Sequence, residues 1–300
     1  MKLSENTRRW IEGATGGRVL SVGLVPGATS SLLHTIEVEM DREVRTVILR
    51  RFTDRNWTTR EPDVAVREGR SLQHAVRAGL PAPRLIAIDA HGEHCGVPAT
   101  LVSLVPGRVV LDPPTMDAWL DGLAAAAAQI HRVDAAGFAW KYRRYNEAES
   151  LIVPRWTTQP EVWKTALDVV HGPQPPYREC FIHRDFHPSN VLWDGETVSG
   201  VVDWVNGCRG PAGIDVAWCR HNLANLQGVE VADHFLSCYI RQAGAEFRYE
   251  PYWDLMSVVE LLPGPPRMYD GWRAAGDVNI TDATMRERVD AYVASVVARL

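Results

Sequence analysis

At Pro106-Gly107 the hydrophobic pattern of this chain changes period. Before it, apolar residues come in short β-branched runs. Residues 19–25 end in Pro26-Gly27, residues 32–39 resume, and Asp41-Arg42 turns the chain into residues 44–52, which reads as a meander of antiparallel strands. Pro62 suits a first helical turn, and a helix runs through Glu68 and Leu72 to Ala78 until Gly79 and Pro81 stop it. Residues 85–89 and 100–104 read as two further strands. After Pro106 the helical period takes over, at 116–131, 214–226, 231–243 and 252–262. A last helix starts at the N-cap Thr281 and carries Met285, Val289, Tyr292, Val296 and Leu300 on one face. A small β-rich lobe followed by a larger helical lobe is an α+β layout, with the boundary at 105/106.

The 300 residues suffice for two such lobes. A formal charge of -5 and a pI near 6.1 argue against a nucleic-acid partner. The five cysteines are odd in number and form no CxxC pair, which suggests neither a disulfide framework nor a zinc site and fits a reducing compartment. Residues 1–10 lack the apolar core of a signal peptide, and the alanine-rich stretch 123–130 is too short to cross a bilayer. The expectation is a cytoplasmic enzyme, monomeric or homodimeric, with no membrane partner.

The chemistry concentrates between Phe181 and Asp203. His183-Arg184-Asp185 is followed by Asn190, five residues after the aspartate, in the H-R-D-x-x-x-x-N order of kinase catalytic loops. Asp194-Gly195 then turns the chain back into residues 198–203, a β-branched strand ending in a carboxylate. On its loop Asp185 can accept the proton of an attacking hydroxyl. Asn190 supplies a neutral oxygen, and Asp203 an anionic one, to a hard cation such as Mg2+. Any one of these residues alone would be ordinary turn chemistry; the constellation is specific.

With these motifs, the chain resembles the aminoglycoside phosphotransferase family of the protein-kinase-like superfamily. The likeness extends to Glu68 in Val66-Arg-Glu-Gly69, to residues 79–83, 104–107 and 123–131, and to the run 182–203. It implies a bilobal fold, with a nucleotide-binding lobe over 1–105 and a catalytic, acceptor-binding lobe over 106–300. By position Asp185 resembles the catalytic base, Asn190 and Asp203 the magnesium ligands, and Glu68 the glutamate that pairs with a phosphate-binding cation. That cation is usually lysine; here Arg50 stands in the slot, a planar fork in place of a point charge. Arg51 should face the other way as a solvated charge. No GxGxxG is present. Pro26-Gly-Ala-Thr-Ser30-Ser31 takes its place, with small residues that let phosphate oxygens approach. Ser103 falls where the nucleotide base should lie. Asp215 matches a family position, with a helix-capping and loop-holding role, and His187 is a candidate to line the acceptor site.

The implied activity is transfer of phosphate from ATP or GTP, with Mg2+, to a hydroxyl of a small molecule. An aminoglycoside is the first acceptor; macrolides, choline-like amino alcohols, homoserine and sugars are alternatives, and a pseudokinase is another. Residues 221–300 hold seven Arg or Lys against eleven Asp or Glu, a balance of -4, which suits a cationic acceptor. Asp254, Glu260 and Asp270 are the candidates to meet it. Eleven residues separate Asp203 from Asp215, with no serine, threonine or tyrosine from Trp204 through Leu226. A phosphorylated activation segment is therefore not expected.

Overall fold

The computed structural model describes residues 3–25, 31–146, 151–275 and 280–300. Its chain divides after Gly107 into two units, and the segment Ser199–Gly207 belongs with the first.

In the first unit, helix α1 (Glu5–Thr15) precedes strands β1 (Arg18–Val25), β2 (Leu32–Met40) and β3 (Glu43–Arg51). Short α2 (Arg55–Arg60), α3 (Val64–Arg77), β4 (Leu85–Asp89) and β5 (Ala99–Ser103) follow. The five strands form one antiparallel sheet in the order β1-β2-β3-β5-β4. Asp41 and Arg42 both take positive φ, 50° and 67°, the geometry a two-residue hairpin turn needs. Ile11 of α1 seals one face of the sheet against Val19, Ile36, Val38, Val47, Leu49 and Leu101, all buried. The sequence pattern predicts one helix before residue 100, whereas the described residues there hold three. The signals for α1 were local: Ser4 caps it by accepting from Thr7 N, and Gly16 ends it at φ 68°. On α3 the buried residues Val64, Ala65, Glu68, Gly69, Ser71, Leu72 and Ala75 form one stripe. That stripe packs on β4, β5 and the Trp204–Asn206 turn.

The second unit opens with β6 (Arg108–Val109), α4 (Met116–His131), α5 (Pro160–His171) and β7 (Glu179–Ile182). Then come β8 (Val191–Asp194), β9 (Thr197–Val201), β10 (Cys208–Pro211), α6 (Ala212–Gln227), α7 (Val229–Ala243), α8 (Pro251–Val259), α9 (Asp270–Ala275) and α10 (Asp282–Val297). Strand β9 carries the chain across the division after Val198. Helix α6 is buried along most of its length, packed by α7, α8 and α10. Thr281 caps α10 by accepting from Thr284 N.

Close approach of α6 and α8 depends on Gly213. A Cβ there would lie 2.4 Å from Trp253 Cδ1 and 2.7 Å from Cγ, and a buried indole has little room to yield. Gly213→Ala should destabilise the protein by about 1–3 kcal/mol, the usual cost of overpacking. Urea denaturation followed by tryptophan fluorescence reads it; an unchanged midpoint would mean the helices accommodate the methyl.

Candidate active site

In the first unit, strand alternation puts Arg50 on the sheet face opposite Val47 and Leu49, between Leu33 of β2 and Thr100 of β5. That face meets α3. Arg50 Nη1 donates to Glu68 Oε1 at 2.6 Å and to Asp203 Oδ1 at 2.6 Å, while Nε donates to Ser31 Oγ at 3.0 Å. Thr100 Oγ1 donates to the second oxygen of Glu68 at 2.5 Å. Arg50 and Glu68 are buried, 6% and 4% exposed. Burial works against the guanidinium charge, but Asp203 and then Glu68 outweigh it and hold the Arg50 pKa above its ordinary value. Arg51, on the opposite face, is half-buried rather than solvated, because that face is the packed one.

Asp203 does not end the strand as the sequence suggested. β9 stops at Val201, and Asp203 sits beyond it in the left-handed region at φ 64°, which a short polar side chain tolerates. The segment is pinned from both sides. Trp204 Nε1 donates to Val201 O at 2.8 Å, and Arg67 Nε of α3 donates to Val205 O at 2.7 Å. The cluster sets one guanidinium against two carboxylates. Asp203 is the more open of the two carboxylates, its side chain 33% exposed against 6% for Glu68. Among the described residues no group of three or more His, Cys, Asp or Glu could hold a metal ion by itself. Taken singly, the carboxylate of Asp203 and the amide oxygen of Asn190 are each hard oxygen donors of the kind Mg2+ takes, an ion that commonly uses few protein ligands. Ser103 Oγ accepts from Arg84 N at 2.9 Å, so this hydroxyl serves the edge of the sheet. Ser30 lies outside the described residues.

In the second unit, β7 leads into the loop 183–190, which closes in a single turn, Pro188–Asn190. Asp215 fixes its backbone by accepting from His183 N and Arg184 N, each at 2.7 Å. Helix α6 begins at Ala212, so Asp215 does not cap it but projects from its first turn into the loop. His131 Nε2 is 3.1 Å from Asp215, and His131 Nδ1 is 2.6 Å from Tyr239 Oη. Burial alone would raise the Asp215 pKa; the hydrogen bond and charge of His131 overcome it and hold the carboxyl below its usual range. Arg184 takes φ 68°, and its Nη2 donates to both oxygens of Glu260, at 2.8 and 2.7 Å. The Arg184 guanidinium lies 3.9 Å from the ring centre of Tyr145 and 4.8 Å from that of Tyr142. This fixes the bend that presents Asp185. Asn190 Nδ2 donates to Asp185 O at 2.9 Å. His187 is tied inward, its Nδ1 accepting from Ser189 N at 3.3 Å.

The two described acids expected to meet a cationic acceptor are already neutralised. Glu260, 5% exposed, is bound to Arg184 and accepts from Tyr142 Oη at 3.2 Å. Asp254, 1% exposed, is held by Arg220, Tyr249 and Tyr292. Both project into the helical core, where an unpaired carboxylate would be costly. The side chain of Asp270 lies outside the described residues.

Three contributors escaped the sequence reading. Thr100 holds Glu68 from 32 positions away, and nothing in its strand marks it. His131 stood only in a helical run. Trp218 Nε1 donates to Asp185 Oδ1 at 2.8 Å; its spacing of three from Asp215 puts both on one helix face, a signal that was available.

A sequence profile of the phosphotransferase enzyme family (APH) matches residues 34–256. A homoserine kinase of Methylorubrum populi is 31% identical over 172 residues, 49% of this chain and 51% of that protein, so the chain spans about half the length of this curated relative. A homoserine kinase of Methylobacillus flagellatus is 23% identical over 264 residues, 78% of this chain and 75% of that protein. Among solved structures, a thermostable mutant of aminoglycoside phosphotransferase APH(4)-Ia, in ternary complex with ADP and hygromycin B, aligns with a TM-score of 0.63 at 18% identity. The alignment covers 96% of this chain and 98% of that one. At this identity the likeness shows the fold alone, the protein-kinase-like one.

Proposed function

The chain belongs to the phosphotransferase enzyme family, and we propose that it transfers phosphate from ATP or GTP, with Mg2+, to a hydroxyl of a small molecule. The observation that carries this reading is the Asp185–Asn190 pair, joined within one loop whose backbone Asp215 fixes. Phosphoryl transfer asks for positioned groups and neutralised charge more than for covalent help. In this reading Asp185 orients the acceptor hydroxyl and takes its proton. Asn190 would offer its amide oxygen and Asp203 its carboxylate to Mg2+, which when bound would supply charge neutralisation for the transferred phosphate. Arg50, kept charged and aimed by Glu68, contacts the phosphates. Ser31 steadies that guanidinium by accepting from its Nε at 3.0 Å.

For the acceptor, the reading we favour is a small amino alcohol such as homoserine, on the strength of the curated relatives. An aminoglycoside is the second reading, supported by the hygromycin B complex. The internal pairing of Asp254 and Glu260 removes two of the acids that favoured a polycation. The test is a phosphorylation screen, read by mass spectrometry, over amino alcohols, sugars, aminoglycosides and macrolides with ATP or GTP. Phosphate gained by the amino alcohols is the expected result. Gain by aminoglycosides alone would select the second reading. Nucleotide binding with no product from any hydroxyl compound would reduce the protein to a pseudokinase.

The segment after Asp203 also carries a prediction. It folds into the Trp204–Asn206 turn and then β10, which pairs with β7 from Cys208↔Ile182 to Pro211↔Glu179. It holds no residue that could accept a phosphate. The recombinant protein should therefore turn over small molecules without prior modification and leave generic protein substrates unlabelled. Efficient labelling of serine or threonine in those proteins, with small molecules untouched, would overturn this.

A further inference from the structure

One helix reaches all three residues of the His183-Arg184-Asp185 triplet. From its first turn Asp215 takes the backbone N–H groups of His183 and Arg184. One turn further along the same face, Trp218 reaches the side chain of Asp185, its Nε1 donating to Oδ1 at 2.8 Å. An indole N–H can only donate, and a bond to a carboxylate is of the stronger, charge-assisted kind. The second oxygen of Asp185 is held more loosely, with Asn190 Nδ2 at 3.4 Å. His187 Nε2 stands 3.6 Å from Oδ1, on the anchored side. The indole is itself locked. Its ring meets Tyr145 edge-on at 6.2 Å and His221 at 6.2 Å, with the Arg184 guanidinium 6.0 Å from its centre. Asn222 Nδ2 donates to the backbone carbonyl of Trp218 at 2.9 Å.

We propose that Trp218 is a positioning residue for the reaction: it anchors Oδ1 of Asp185 and so presents Oδ2 as the oxygen that receives the acceptor proton. This rests on the reading of Asp185 as the base. A carboxylate without the anchor would rotate about its side-chain torsions, and misplacement of a reacting group by about 1 Å can cost a factor of about 10².

Two measurements test it. The first needs no acceptor. In the proton–nitrogen spectrum, the Trp218 indole signal is the one of eleven that Trp218→Phe removes. Asp185→Ala should shift that signal further than any other indole; no shift would overturn the proposal. The second is kinetic, with whichever compound the screen identifies. Trp218→Phe keeps an aromatic ring against Tyr145 and Arg184 but deletes the N–H. It should lower kcat by about 10- to 100-fold with the nucleotide KM unchanged. A shifted indole signal with kcat unaffected would make the contact structural only and sink the positioning role. If Trp218→Phe fails to fold, Asp185→Ala still decides the first measurement, the Trp218 signal being the one left after the other ten indoles are assigned by substitution. A screen without any product would defeat the reading of Asp185 as base, whereas a missing indole shift defeats the anchor alone.

Discussion

Asp185→Asn should abolish turnover, lowering kcat by about 10² to 10⁴, the usual cost of losing a general base. The substitution is close to isosteric, and the contacts that hold the loop lie on other groups. Asp215 takes the backbone of His183 and Arg184, and Asn190 Nδ2 bonds to the residue-185 carbonyl, which survives the change. Fold and nucleotide affinity should therefore stay near wild type, so the effect belongs to chemistry. The measurement is steady-state kcat beside calorimetric nucleotide binding. A variant that keeps more than about a tenth of kcat would remove Asp185 from the role of base, since even the mild end of the range is larger.

Asp203→Ala should eliminate the magnesium dependence of nucleotide binding and lower kcat by about 10² to 10⁴, since a bound metal contributes several kcal/mol of charge stabilisation and each 1.36 kcal/mol is tenfold in rate. The buried cluster makes this substitution informative. Removing Asp203 leaves Arg50 paired with Glu68 at 2.6 Å, one charge against one, so the sheet and α3 lose no necessary partner. The first unit should remain folded while its capacity for a cation is lost. Calorimetry with and without Mg2+ reads the first effect, and urea denaturation checks the fold. An intact magnesium effect in the variant would move the metal site elsewhere. Global unfolding would show that Asp203 serves stability, with the Arg50 contact as its purpose.

Much of the candidate site was legible because it is local. His183, Arg184, Asp185 and Asn190 lie within eight residues, and a loop that must place a base and an amide oxygen together has few ways to write itself. Helix ends were legible where caps are local too, as with Thr281 and α10 or Gly79 after α3. Helix α1 was missed although its cap signals were present, because a polar amphipathic segment has too little apolar residue to stand out until a sheet covers Ile11. Asp203 was placed at a strand end because a β-branched run reads as continuing; the pinning of Trp204 and Val205 bends the chain two residues earlier.

The sequence by itself determined the family and the order of a β-rich stretch before a helical one, and it supplied the candidates for the reacting groups. These follow from residue type and spacing, which carry chemistry without coordinates. Only the tertiary structure decided which charges are spent and which remain. Glu260 and Asp254 looked available in a net acidic stretch, yet each is buried against an arginine 76 or 34 positions away. Arg50 gained two carboxylate partners, 18 and 153 positions distant, and Asp185 gained an indole donor 33 positions on. A charge in sequence has a sign but no neighbours. Its partner is set by which faces pack together, and burial then makes that pairing obligatory, because an unpaired ion in the interior costs more than folding can offset.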